Sequence, residues 1–417
     1  MIILKNIQVI DAHNFAMRKG HLLIDPLKDG SYQFIDRPTD YPDAEIEECE
    51  GLIAIKALSN GHHHAYSTLA RGMPFPTPAP KNFVEILEKV WWKLDKNLSM
   101  EMNEISAYYT AISSAKNGVS AIIDHHASPF AITGSLQKMH QAIDKVGLDS
   151  LLCYEISDRD GERIREEGLE ESDDFLSSHP GLIGLHASFT LEDKTLEKAT
   201  GLCHKHQSGI HIHLAESHED QEDSKQRFGY GVVQRLSKYG FLDLEKSILA
   251  HGIHLSDQER SLLSNAKAWM VQNPESNLNN EVGYFNHIGL SHQLMLGTDG
   301  MHNNMLRSAQ TAYFVGKNQE QIDMPQIYQR LRNTDHYLES QFSFSKHSLM
   351  ILKYDSPSPI QQDNFLGHFF FGFENRHIQH LIALGEWIMK NQCILKVDEE
   401  VILKEAQKLA EFLWKKL

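Results

Sequence analysis

The 417-residue chain is 41% hydrophobic and 23% charged, an ordinary folded-protein composition with length for a large α/β domain and a smaller companion. Its 56 acidic residues outnumber 40 basic ones, and the formal charge of −16 argues against a general nucleic-acid-binding surface or attachment to anionic membranes. No apolar run reaches the roughly 18 residues of a membrane span, MIILKNIQVID lacks a signal-peptide core, and the scattered Cys49, Cys153, Cys203 and Cys393 show no disulfide spacing, so a reduced, cytoplasmic protein is expected.

Residues 1 to about 50 alternate apolar and polar side chains and then enter Gly/Pro/Asp-rich turns, which predicts short antiparallel strands. From Gly51 the rhythm becomes apolar strand, polar strand end, amphipathic helix. Strands are predicted at Leu52–Leu58, Ser120–Ile123, Leu151–Ile156, Leu182–Leu185, Ile210–His213, Ser247–Ala250, Trp269–Val271 and Leu294–Leu296. Helices are predicted at Asn82–Leu98, Met100–Asn117, Phe130–Val146, Leu191–His206, Val232–Tyr239 and Asp257–Asn265. Eight strands alternating with helices imply parallel pairing and a closed (β/α)8 barrel over 51–339, with a doubly wound open sheet as the structural alternative. After about residue 335 the rhythm stops. Short strands at His347–Tyr354, Ile378–Leu384 and Glu386–Met389 and a closing helix at Glu399–Lys416 then pack 1–50 and 340–417 into one small β domain.

The chain holds 25 histidines, and their placement is informative. A (β/α)8 barrel carries its active site at the C-terminal ends of its strands. Those ends read His62-x-His64, Asp124-His125-His126, His186, His213-Leu-Ala-Glu216, His251, Gln272-Asn273 and Asp299. Alternation along a strand points His62 and His64 the same way, and two imidazoles on one face can share a metal ion. Glu216, three residues past His213, reaches the same mouth only if the strand ends near His213 and the loop turns back. His211 shares the parity of His213 and reads as a packed, hydrogen-bonded barrel residue. His251 directly follows its strand and is preferred to His254. Asp299 follows a Gly-Thr turn, although an Asp-Gly pair is also an ordinary turn signal. Three imidazoles and one carboxylate suit zinc, or iron in its place, with a position left for water. Such an ion would furnish hydroxide at neutral pH, with Glu216, His251 and Asp299 handling protons and developing charge. Arg71, His126 and His186 are candidate substrate contacts; an ion pair for Arg71 and a supporting role for His126 are the plain alternatives.

These segments also resemble the metal-dependent amidohydrolase superfamily, in its aminohydrolase and chlorohydrolase branch, the SsnA-like group above all. The likeness runs through 62–72, Val90-Trp91-Trp92-Lys93-Leu94-Asp95, 123–129, 184–190, 211–216, Leu249-Ala250-His251-Gly252, 272–280 and Leu296-Gly297-Thr298-Asp299-Gly300. It implies one metal held by His62, His64, His213 and Asp299, Glu216 and His251 as the proton-handling pair, and a β-sandwich built from both chain ends. The implied activity is hydrolysis of a non-peptide C–N bond, foremost deamination of a small purine- or pterin-like heterocycle by a metal-bound hydroxide, in a homo-oligomer. Displacement of chloride by the same machinery and a catalytically impaired metal-binding relic are the alternatives. The chain departs from the family pattern at Lys56-Ala57, where Pro-Gly is usual, at Gln272, where His is usual, and through 342–349, where a Gly-rich segment is usual.

Overall fold

The computed structural model describes residues 1–344 and 347–417; Ser345 and Lys346, inside the departing 342–349 segment, lie outside the described residues. Eight parallel strands form the centre: Leu58–His63, Val119–His126, Asp149–Tyr154, Ile183–Ala187, Ile210–Leu214, Ile248–His251, Trp269–Gln272 and Leu294–Leu296. The first three pair in sequence, as do the last five. Parallel bridges Ile156↔Leu185 and His63↔Asp299 join the two groups at both seams, so the sheet closes. The expected barrel is therefore present and the open-sheet alternative is not.

The first strand corrects the reading of Leu52–Leu58 as one element. The apolar run is two strands that part at Ala57. Leu52–Lys56 pairs with the N-terminal strand Ile2–Ile10 and, antiparallel, with Leu349–Lys353, whereas Leu58–His63 enters the barrel. Nine strands from both ends of the chain thus make one further sheet. Both its faces are covered: Ile2, Leu4, Ile7, Val9, Ile351 and Trp387 gather in one cluster, while Ile10, Ile55, Met350 and Leu381 join the main core. The change of inward parity between Leu4 and Ile7 comes from a register shift at Asn6, whose φ of 61° is tolerable for Asn.

Helical segments differ from expectation in three places. Asn82–Leu98 is not one regular helix: a π turn at Leu87–Trp91 interrupts it and swings Trp91, Trp92 and Asp95 over the barrel mouth. The helix expected from Phe130 starts at Ser135. The rhythm does not stop at 335, because a helix capped by Asp323 and Gln326 runs Met324–Phe342. Its Tyr337 and Leu338 close the lower end of the barrel against Ile123, Leu151, Ile248 and Val271. With that end filled by apolar side chains, the polar strand ends face only the other mouth.

Candidate active site

His62 and His64 emerge on one side of the first strand and point inward, as alternation requires. His63 points away, and its two ring nitrogens meet the Asp299 carbonyl at 2.8 Å and the Asn303 side chain at 3.1 Å. His64 donates from Nδ1 to the carbonyl of His125 at 2.6 Å, and His213 donates from Nδ1 to the carbonyl of His186 at 2.9 Å. Each ring is thereby left with Nε2 facing the centre, where the two Nε2 atoms stand 3.1 Å apart. The Asp299 Oδ1 atom lies 3.1 Å from His64 Nε2 and 3.7 Å from His62 Nε2. The Nε2 of His62 is buried and has no hydrogen-bond partner among the described residues. Four lone-pair-bearing groups converging in a dry site repel one another unless positive charge sits among them, so this donor set fits a divalent cation.

The electrostatics agree. Burial works against charge on His64, but the Asp299 carboxylate outweighs it and pushes the pKa up to about 9. Burial, with His64 close by, takes His62 down to about 3. Burial likewise would raise Asp299, yet His62 and His64 hold it well below the carboxylate range.

The neighbouring groups have the opposite balance. Glu216 is brought to the mouth by Ala215, which adopts φ of 47°. That conformation is held by the Ala215 N–H donating to Asp220 at 2.9 Å and by its carbonyl accepting from Ile253 and His254. Burial and the charge of Asp299 push the Glu216 carboxyl well above its usual range. Its Oε2 stands 3.6 Å from Nε2 of His251. Asn277 donates to Nδ1 of His251 at 2.8 Å, which directs the ring's proton to Nε2, facing Glu216 and Asp299. Ser276 donates to Asp299 Oδ2 at 2.5 Å. His251 and Asp299 are themselves in the left-handed region, at φ of 74° and 53°, so three non-glycine residues at this rim are strained.

Above the cluster lies a cleft that opens to solvent, walled by Phe83, Trp91, Trp92 and Phe189, with His64, His213, Glu216 and Asp299 at its floor. His186 also lines it, its Nδ1 bonded to Thr190. Arg71 and His126 do not line it. Arg71 sits beside Tyr109 at a separate surface depression, and His126 is buried against Ser128. His254 lies further out, its ring tilted against that of His218. His211 is packed below the cluster with Nε2 2.8 Å from His62 Nδ1. The polar cleft residues that the sequence reading gave no role include Asp95 and Arg159, which pair with each other, and Glu155. Glu155 was detectable in principle. The third strand was expected to run to Ile156, but it ends at Tyr154, so Glu155 is a strand-end residue like the others.

Among the described residues no helix is long and apolar enough to cross a membrane. The chain is 25% identical over 404 residues to a 5'-deoxyadenosine deaminase of Methanocaldococcus jannaschii, covering 89% of this chain and 91% of that one. It is 24% identical to a 5-methylthioadenosine/S-adenosylhomocysteine deaminase of Syntrophomonas wolfei, covering 98% of each. Its fold is similar to that of an adenosine deaminase from Xanthomonas campestris with bound zinc, at a TM-score of 0.79 and 15% identity over the whole of both chains. Residues 51–329, well over half of the sequence, match the amidohydrolase family, and the chain belongs to that family.

Proposed function

We propose that this protein is a metal-dependent hydrolase of carbon–nitrogen bonds other than peptide bonds, and that it deaminates a purine-type or pterin-like heterocycle. The observation that carries the reading is the pairing of two sets of groups at one barrel mouth. One set turns Nε2 lone pairs and a carboxylate oxygen toward a common point; the other places Glu216 and His251 3.6 Å from each other beside it. The named relatives, which deaminate adenine-type compounds, support the same chemistry.

His62, His64, His213 and Asp299 would hold the ion, and zinc suits this donor set. When bound, such an ion supplies hydroxide at neutral pH by lowering the pKa of water from 15.7 to about 7. The aromatic wall stacks a flat ring and keeps bulk water off one face. Glu216, whose carboxyl burial and Asp299 push toward the protonated form, would give a proton to a ring nitrogen and make the amino-bearing carbon electrophilic. His251 donates from Nε2 to the negative charge that develops as oxygen adds to that carbon. Asp299 keeps Oδ1 toward the cage and Oδ2 toward Ser276 and His251, so it can take a proton and pass it to the departing amine. The carbon gains oxygen, the C–N bond breaks, and ammonia leaves.

Zinc-loaded protein is expected to release ammonia from at least one member of a panel of purines, pterins and their nucleosides. Glu216→Gln should keep the metal and lose activity by about 10²- to 10⁴-fold, the usual contribution of a positioned acid–base group. Metal-replete wild type that releases no ammonia, or a Glu216→Gln variant as active as wild type, would overturn the reading.

A further inference from the structure

One carboxylate in the cleft has no part in the chemistry above. Glu155 shares the inward parity of Leu151 and Cys153 and follows their strand directly, so it points into the mouth. Its side chain is only 4% exposed. A carboxylate has about four lone-pair positions, and leaving them unpaired in a dry site is costly. Among the described residues the Glu155 oxygens meet one partner, Nδ1 of His125 at 3.4 Å. That ring is fixed in place, because its Nε2 faces the carbonyls of Leu185 and His211, both at 3.1 Å. Arg159, the nearest guanidinium, is engaged by Asp95 and Asp160. Burial would raise the Glu155 pKa, but His186, His125 and Arg159 hold it below its usual value. Glu155 is therefore an acceptor-only group, short of donors, lining the cleft.

Its position says which donors can reach it. A Glu155 oxygen, a ring nitrogen of His125 and a ring nitrogen of His213 lie within 4.8 Å of one another. The carboxylate thus sits beside His213 at the edge of the cage, where it would face the six-membered ring whose carbon is attacked. A sugar attached beyond a second ring lies farther away.

We infer that Glu155 is a specificity-determining residue that accepts a hydrogen bond from a ring N–H of the substrate, so that the site favours amino-substituted lactam rings over adenine-type rings. The inference rests on the deaminase reading and narrows its substrate class. A 2-amino-4-oxo ring carries an N–H next to its amino-bearing carbon. The six-membered ring of adenine carries only lone pairs there, and these repel a carboxylate. On this point the chain parts from the relatives whose names specify adenine-type compounds.

The experiment compares ammonia release from guanine and a 2-amino-4-oxopteridine with release from adenosine and 5'-deoxyadenosine, using zinc-loaded full-length wild type, Glu155→Gln and Glu155→Asp, with metal content measured in each. The expected result is a fall of about 10- to 100-fold in kcat/KM for the lactam rings in Glu155→Gln, carried mainly by KM, as for loss of a hydrogen bond to a charged group. Adenine-type rings should be unaffected or improved, and Glu155→Asp should be intermediate. Equal losses on both classes, or none, overturn the inference while the deaminase reading stands, as does wild type that acts on adenine nucleosides alone. If wild type acts on neither class, the deaminase reading falls and the inference with it. Should Glu155→Gln lose its metal, equilibrium binding to wild type decides: adenine rings binding as tightly as lactam rings overturns the proposal.

Discussion

The most demanding test of the site lies one layer beneath it, at His211. A cation at the centre requires a lone pair on Nε2 of His62, hence a proton on its Nδ1, and the acceptor for that proton is His211 Nε2 at 2.8 Å. The proton of His211 then sits on Nδ1 and points to Cys153 Sγ at 3.7 Å, and the thiol points to the Asp124 carbonyl at 3.6 Å. Each group donates once and the chain ends on an acceptor. The reverse direction would aim the His62 proton into the cage and leave that carbonyl without its donor. His211→Leu fills similar space but orphans His62 Nδ1 in a site that is 0% exposed. Leaving such a donor unpaired costs about 1–3 kcal/mol, equivalent to roughly 5- to 150-fold. The independent expectation for losing a partner behind a metal ligand is about 10- to 100-fold in affinity. The two ranges overlap, so a weakening of zinc binding by about 10- to 100-fold is expected. Competition against a chromogenic chelator measures it without reference to activity. Cys153→Ala should do much less, because its contact is long. A folded His211→Leu variant that competes for zinc as well as wild type would refute the tautomer argument.

Two further outcomes test the frame around the site. Arg235 is fully buried, donating to the Ser188 and Leu191 carbonyls and to Asp193 while stacking on Phe228 at 3.7 Å. Arg235→Met removes a donor from each of these acceptors and should cost about 1–3 kcal/mol in denaturant unfolding; a variant as stable as wild type would show the network to be dispensable. Burial raises the pKa of Asp220 from 3.8 to about 7, although the N–H groups of Ala215 and Phe189 pull against the shift. The native state then binds more protons than the unfolded chain between about pH 4 and pH 7, so stability falls as pH rises across that interval and levels off above it. Asp220→Asn should remove this group's contribution to the slope, gaining on wild type by up to about 4 kcal/mol between pH 4 and pH 8 at 1.36 kcal/mol per unit. A pH-independent difference between the two proteins would exclude it.

The barrel was legible because each of its strands ends where an apolar run meets a polar residue, and that signal is local. What was not legible depends on pairing between distant segments. Nothing in GLIAIKAL says that Leu52–Lys56 must lie between Ile2–Ile10 and Leu349–Lys353, because both sheets want the same β-branched, apolar residues. The long helix Met324–Phe342 was not among the expected helices, and the rhythm was expected to stop near 335. Arg330, Arg332 and Asp335 are charged, which reads as an exposed break, yet Arg330 bonds Gln272 and Glu320 while Arg332 bonds Asp335 and the Ala57 carbonyl in the interior. Gln272, one of the departures from the pattern of the resemblance, thus faces a helix rather than the cleft and does not touch the cage.

The cluster itself was the most readable part, since metal ligands must come from a short list of residue types and strand ends give them one direction to point. Glu155 shows where that logic stops. It is the same residue type, at the same kind of position, and its strand stops two residues before the expected end at Ile156. A boundary error of two residues does not alter side-chain parity, so the fold survives it. Such an error does move a side chain from the sheet interior to the mouth, and there it decides what touches the substrate. Recognition is therefore harder to read than ligation in this chain. An ion demands several converging donors, whereas a substrate contact needs only one acceptor at the right depth, and depth along a strand is what periodicity measures least well.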